Sequence, residues 1–158
     1  MPIKVLIIDD DLAMTDLLSL LLKSYGLEVF VVNDSQEGLQ AVERDAPDII
    51  LLDLMMPGKT GWDLCREIRA FSKVPIAVLS AIDDPVMVAN ALDAGADDYM
   101  VKPIPSGELL AHINNLTRRA AVEKNGGKTM IHETDSLLKK KVPILNPGPL
   151  QAQGRALQ

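Results

Sequence analysis

Cysteine is nearly absent: Cys65 is the only one in 158 residues. No intrachain disulfide can form, which fits a reducing compartment. Long apolar runs are missing too. The richest, Leu17–Leu22, is broken by Ser19 and runs into Lys23, far short of the roughly 18 residues that span a bilayer. Met1-Pro2-Ile3-Lys4 enters an apolar strand pattern directly, so the sequence predicts no secretory signal and no membrane attachment, with the cytoplasm as location. Positive charge is scarce in residues 1–120, which carry 10 Lys+Arg against 19 Asp+Glu, a net of −9. Such an acidic body argues against nucleic-acid binding by that part and is compatible with a cation site. Residues 121–158 carry 6 against 3, a net of +3, too little to claim DNA binding.

What is present is alternation. Ile3–Ile8 is a near-continuous apolar run ending in Asp9-Asp10-Asp11, and Leu12–Tyr25 follows without Pro or Gly. The first predicts a buried strand and the second a helix with Leu17, Leu18, Leu21 and Leu22 on one face, stopped by Gly26. Leu27–Val32 reads as a second strand, and Asn33-Asp34-Ser35 with Glu37 as a cap opening a helix to about Arg44, with Leu39 and Val42 inward. Pro47 precedes a third strand, Asp48–Leu52, which ends in Asp53; turn residues Met56–Gly61 then lead into a helix over Trp62–Phe71. Its expected core positions are Leu64, Cys65 and Ile68. Val74–Leu79 is a fourth strand ending in Ser80, Asp84-Pro85 opens a fourth helix to Asp93-Ala94, and Asp97–Val101 is a short fifth strand before Lys102-Pro103. A last helix runs from about Ser106 to Ala121, ending before Asn125-Gly126-Gly127.

Five strands alternating with five helices predict an α/β fold, a doubly wound parallel sheet with right-handed crossovers. The expected domain is 1–121. Residues 122–158, with Asn146-Pro147-Gly148-Pro149 and little periodicity, read as a linker or tail, although Leu137–Lys141 could form a helical turn.

In such a sheet the first and third strands end side by side, so Asp9, Asp10 and Asp53 share a pocket. Like charges raise one another's pKa, so three carboxylates call for a cation. All-oxygen ligation suits Mg²⁺ (or Mn²⁺). The fourth and fifth strands add a hydroxyl, Ser80, and an ammonium, Lys102. Taken singly, Asp10 or Asp11 reads as a helix cap, Ser80 as a loop hydroxyl and Lys102 as a surface residue. Asp83-Asp84 and Asp97-Asp98 read as cap and turn residues. Together, a cation, an ammonium and a hydroxyl around one carboxylate make a phosphoryl-transfer site with a carboxylate nucleophile.

Over about residues 3–120 this constellation resembles the receiver domain of bacterial two-component response regulators. The resemblance rests on Val5–Asp11, Leu51–Gly58 with Gly61, Val78–Ala81 and Gly95–Pro103. It implies a flavodoxin-like (βα)5 sheet of strand order 2-1-3-4-5. It implies that Asp53 accepts a phosphoryl group from a sensor histidine kinase or phosphotransfer protein. Asp9, Asp10, Asp53 and the backbone carbonyl of Met55 would hold the metal, Lys102 would contact phosphate, and the Lys102–Pro103 peptide would be cis. Ser80 would be a switch hydroxyl and Tyr99 a switch aromatic that rotates inward, remodelling the face of the fourth helix, fifth strand and fifth helix.

The motif around Tyr99 is most similar to regulators with winged-helix outputs, whose relatives form homodimers through that face using charged pairs. Here the fourth helix offers Val86-Met87-Val88-Ala89-Asn90, and His112 stands where those relatives carry an arginine. The acids Asp97, Asp98 and Glu108 remain. A more apolar face is therefore expected, self-associating differently or docking another partner. Met55 and Ile82, at positions that tune hydrolysis in this family, cannot orient water, so slow self-dephosphorylation is expected. An Asp-nucleophile phosphatase would want a second Asp where Met55 stands, and a flavodoxin-like cofactor binder would want a phosphate-cradling loop where Asp9-Asp10-Asp11 stands. A receiver-like binding module working without phosphorylation is the remaining alternative.

Overall fold

The structure, a computed structural model, describes residues 1–126. Strands β1 (Lys4–Ile8), β2 (Glu28–Val32), β3 (Ile49–Leu52), β4 (Ile76–Ser80) and β5 (Asp98–Val101) alternate with helices α1 (Leu12–Ser24), α2 (Ser35–Asp45), α3 (Gly61–Arg69), α4 (Pro85–Asp93) and α5 (Ser106–Lys124). All pairings are parallel, in the order β2-β1-β3-β4-β5. Both faces of the sheet are covered, as continuous apolar strands require.

Alternation along each strand divides the core in two. Leu6, Ile8, Ile50, Leu52, Ile76 and Val78 pack on one side with Val42 of α2, Leu64, Cys65 and Ile68 of α3 and Ala91 of α4. Val5, Ile7, Ile49, Leu51, Ala77 and Leu79 face the other side, with Leu18 and Leu22 of α1 and Leu109, Ile113 and Leu116 of α5. The strands of the sheet centre are therefore pinned from both sides, which fixes where their carboxyl ends emerge.

Four details differ from the sequence expectation. The inward face of α1 is Thr15, Leu18 and Leu22, while Leu17 is 63% and Leu20 71% exposed. A helix with leucine on nearly every side carries no periodic signal to choose among them. Strand β4 begins at Ile76, because Pro75 has no N–H to donate, and it extends through Ser80. Helix α3 ends at Arg69 and α5 runs on to Lys124. The expected helical turn at 137–141 and the tail it belongs to, from residue 127 on, lie outside the described residues.

Candidate functional site

The carboxyl ends of β1, β3, β4 and β5 share one edge of the sheet. The pairing of Ile8 with Leu52 sets Asp9 beside Asp53, and the Asp53 N–H donates to the Ile8 carbonyl at 3.0 Å. Asp9 is buried, Asp53 half-buried and Asp10 exposed. One carboxylate oxygen from each lies within 4.8 Å of the others. Asp11, by contrast, is the N-cap of α1, its side chain accepting the Met14 N–H at 3.0 Å. The first two acids of the triplet serve the pocket and the third serves the helix.

On the far side, Ser80 pairs with Val101, and the Lys102 N–H donates to the Ser80 carbonyl at 2.8 Å. The Lys102–Pro103 peptide is cis, as the family resemblance implied. The Lys102 ammonium donates to Asp9 Oδ2 at 2.8 Å, and the Asp11 N–H donates to Asp9 Oδ1 at 3.0 Å. Both Asp9 oxygens are thereby engaged. Asp53 is held above the usual carboxylate range, first by burial and then by repulsion from Asp9, with Asp10 adding to it. Lys102 and the Met55 N–H pull it back down. The pocket is thus a desolvated carboxylate among like charges, with one ammonium as compensation.

The buried Ser80 hydroxyl accepts the Ile82 N–H at 3.3 Å. Tyr99, half-buried against the core, donates its hydroxyl to the Ile82 carbonyl at 2.7 Å. Burial raises the Tyr99 phenol, opposed by the nearby Ser80 hydroxyl and reinforced by Asp53, Asp83 and Asp84. Ile82 is therefore bonded through its N–H to Ser80 and through its carbonyl to Tyr99. The Met55 side chain is exposed, and the loop beneath it is anchored by buried Leu54 and Met56. Lys59 reaches both Glu67 oxygens at 2.6 Å, tying the same loop to α3.

Other acids turn out differently. Asp84 caps α4 as expected, accepting the Val86 N–H at 2.9 Å. Asp97 is more than a turn residue: it accepts from Arg69 at 2.7 Å and from the Ile76 N–H at 2.9 Å. Asp98 lies in β5, where its Oδ2 meets His112 Nδ1 at 2.5 Å and its Oδ1 accepts the Tyr99 N–H. Two acids expected to remain for a charged dimer contact are consequently engaged inside the chain. Arg69 also donates to the carbonyls of Gly95, Ser72 and Val74, a clamp between α3 and the turn before β5 that the sequence did not announce. Asn33 is not part of the helix cap, which is Asp34; its side chain turns back to the pocket.

The sequence model of the response regulator receiver domain matches residues 5–114. The DNA-binding response regulator MtrA of Mycolicibacterium paratuberculosis is 42% identical over 116 residues, covering 73% of this chain and 52% of that protein. The sensory transduction protein RegX3 of Mycolicibacterium smegmatis is 42% identical over 123 residues, 78% of this chain and 54% of its own. The chain thus spans about half the length of the curated relatives it matches. Among solved structures, the BeF3-activated N-terminal receiver domain of RstA from Klebsiella pneumoniae superposes with a TM-score of 0.71 at 32% identity. That match covers 73% of this chain and 98% of the other. With its fold, its strand-end acids and these matches in agreement, the chain belongs to the response regulator receiver domain family.

Proposed function

We propose that residues 1–121 act as a phosphoacceptor switch, taking a phosphoryl group onto Asp53 from a phosphohistidine of a sensor kinase or phosphotransfer protein. The observation that carries this is the convergence of three carboxylates on one edge of the sheet, with Lys102 poised on Asp9. An all-oxygen donor set left one positive charge against three negative ones suits Mg²⁺ or Mn²⁺, held by Asp9, Asp10, Asp53 and the Met55 carbonyl. When bound, such an ion neutralises charge on the transferring phosphoryl oxygens.

The chain's own groups supply the rest. Asp53 Oδ forms a bond to phosphorus as the phosphorus–nitrogen bond breaks and the imidazole leaves with that electron pair. Partial burial thins the water around the carboxylate but disfavours its charge, and Lys102 together with the cation would favour the ionised, attacking form. Lys102 shifts part of its charge from Asp9 to the phosphoryl oxygens, and the buried Ser80 hydroxyl donates to them. Because Ile82 bonds to both Ser80 and Tyr99, drawing Ser80 toward Asp53 moves Tyr99 and with it the face of α4, β5 and α5. On that face Val86, Met87, Leu92 and Val101 are exposed, which suits a homodimer or a partner contact less dependent on charge than in relatives with paired ions. Residues 1–121 are acidic and are assigned no nucleic-acid contact. Among the described residues no helix is long and apolar enough to cross a membrane; the cytoplasm is the proposed location.

Intact-mass measurement after incubation with acetyl phosphate and Mg²⁺ tests this. One phosphoryl adduct is expected, and none when a chelator is present from the start of the incubation. A chain that stays unmodified in saturating Mg²⁺ would instead favour the phosphorylation-independent binding module.

A further inference from the structure

Asp9 and Asp10 are joined by one peptide unit, and the carbonyl oxygen of that unit does not belong to the sheet ladder. The last β1–β2 rung is the Asp9 N–H donating to the Val32 carbonyl at 3.2 Å. One residue beyond the end of β2, Asn33 reaches across, and its side-chain Nδ2 donates to the Asp9 carbonyl at 2.8 Å. The same nitrogen donates to Thr15 Oγ1 at 3.1 Å. Thr15 is buried on the inner face of α1, and its hydroxyl donates in turn to the Leu12 carbonyl at 3.1 Å. The chain Leu12–Thr15–Asn33–Asp9 thus runs from the first turn of α1, across the end of β2, to the peptide that carries both acids.

A peptide unit is planar, so holding its oxygen sets the ψ of Asp9 and the φ of Asp10 together. Those two angles fix the directions in which the flanking carboxylates leave the backbone. Asp9 has further restraints through Asp11 and Lys102. Asp10 is exposed and depends on its backbone for its direction. Asn33 uses both amide protons on fixed acceptors, which settles which way its amide group faces.

We propose that Asn33, backed by Thr15, is a positioning residue for the Asp9–Asp10 pair and thereby sets the affinity of the pocket for a divalent cation. This rests on the receiver reading of that pocket. Partners that orient metal ligands from one shell out are typically worth a tenfold or greater change in affinity. The role differs from that of the metal ligands, since Asn33 itself never touches the ion.

The test is calorimetric titration of Mg²⁺ into the wild-type chain, Asn33→Ala, Thr15→Val and Thr15→Ser, all well below their melting temperatures. Asn33→Ala is expected to bind about tenfold more weakly, Thr15→Val about threefold more weakly, and Thr15→Ser like wild type because its hydroxyl remains. In metal-free protein, the Asp10 amide resonance should move in Asn33→Ala and Thr15→Val but not in Thr15→Ser, a readout that general loss of stability would not produce. Wild-type affinity in both Asn33→Ala and Thr15→Val overturns the proposal and leaves the receiver reading intact. A wild-type chain that binds no Mg²⁺ overturns both.

Discussion

Replacing Gly61 with alanine tests how firmly the loop after Asp53 is held against α3. Gly61 opens that helix and donates its N–H to the Leu54 carbonyl at 2.8 Å. A Cβ there would lie 2.6 Å from the Asp53 carbonyl oxygen and 2.6 Å from the Leu54 Cα. Ordinary contact begins at 3.4 Å, so one side has to retreat by the difference, 3.4 − 2.6, about 0.8 Å. Both obstructing atoms are backbone, so no side chain can swing away. Overpacking should therefore fall in the upper part of its usual range, about 2–3 kcal/mol. At about 4 °C per kcal/mol for a domain of this size, melting should drop by about 8–12 °C.

The displaced carbonyl belongs to Asp53 itself, and a shift approaching 1 Å can cost about a hundredfold in rate. Gly107→Ala is the control: nothing lies within 4 Å of its added Cβ in the first turn of α5. It should be stabilising by up to about 1 kcal/mol. Thermal melting, with the rate of phosphorylation by acetyl phosphate on folded protein, reads both effects. A Gly61→Ala chain melting within about 2 °C of wild type and phosphorylated at the same rate would refute the steric reasoning.

Arg69→Met removes four hydrogen bonds, to Gly95, Ser72, Val74 and Asp97. It should cost about 2–3 kcal/mol in urea unfolding, whereas Asp97→Asn, which keeps the carbonyl contacts, should cost less than half of that. Ala46 closes α2 in the left-handed region with φ of 45°, so Ala46→Gly should raise stability by about 0.5–1 kcal/mol; a loss would show that the turn is not strained. Phosphorylated chain should decay slowly, because neither Met55 nor Ile82 can orient an attacking water, a contribution worth roughly 10²-fold or more where it exists. A half-life of seconds, lengthened by truncating either side chain, would contradict this.

Much of the site was legible in sequence because it sits where apolar runs end. Burial on both faces makes β1, β3 and β4 read as uninterrupted Ile, Leu and Val, and the first polar residue after each run marks the sheet edge. Asp9, Asp53 and Ser80 follow from that alone. Lys102 follows from the end of β5 in the same way, although that strand is short and only Met100 in it is buried; what the family resemblance added was its contact with phosphate. What could not be read depends on partners far apart in the chain. The Asn33 amide acts on a carbonyl 24 residues earlier, and Arg69 meets Asp97 across 28 residues. Locally, Asn33 beside Asp34 looks like a helix cap, and only the β1–β2 register turns it toward Asp9. His112 is a similar case: its pairing with Asp98 needs α5 packed against β5, a contact that no spacing reveals. The α1 face was misread because leucine occurs on both its buried and its exposed sides.

The central claim is that Asp53 itself carries the phosphoryl group. Phosphorylated chain, treated with hydroxylamine and digested, should yield a hydroxamate on the peptide containing Asp53 and on no other. Asp53→Asn should take up no phosphoryl group under the same conditions while remaining folded. Label on a different residue, or an adduct that persists at full stoichiometry in Asp53→Asn, would contradict the account.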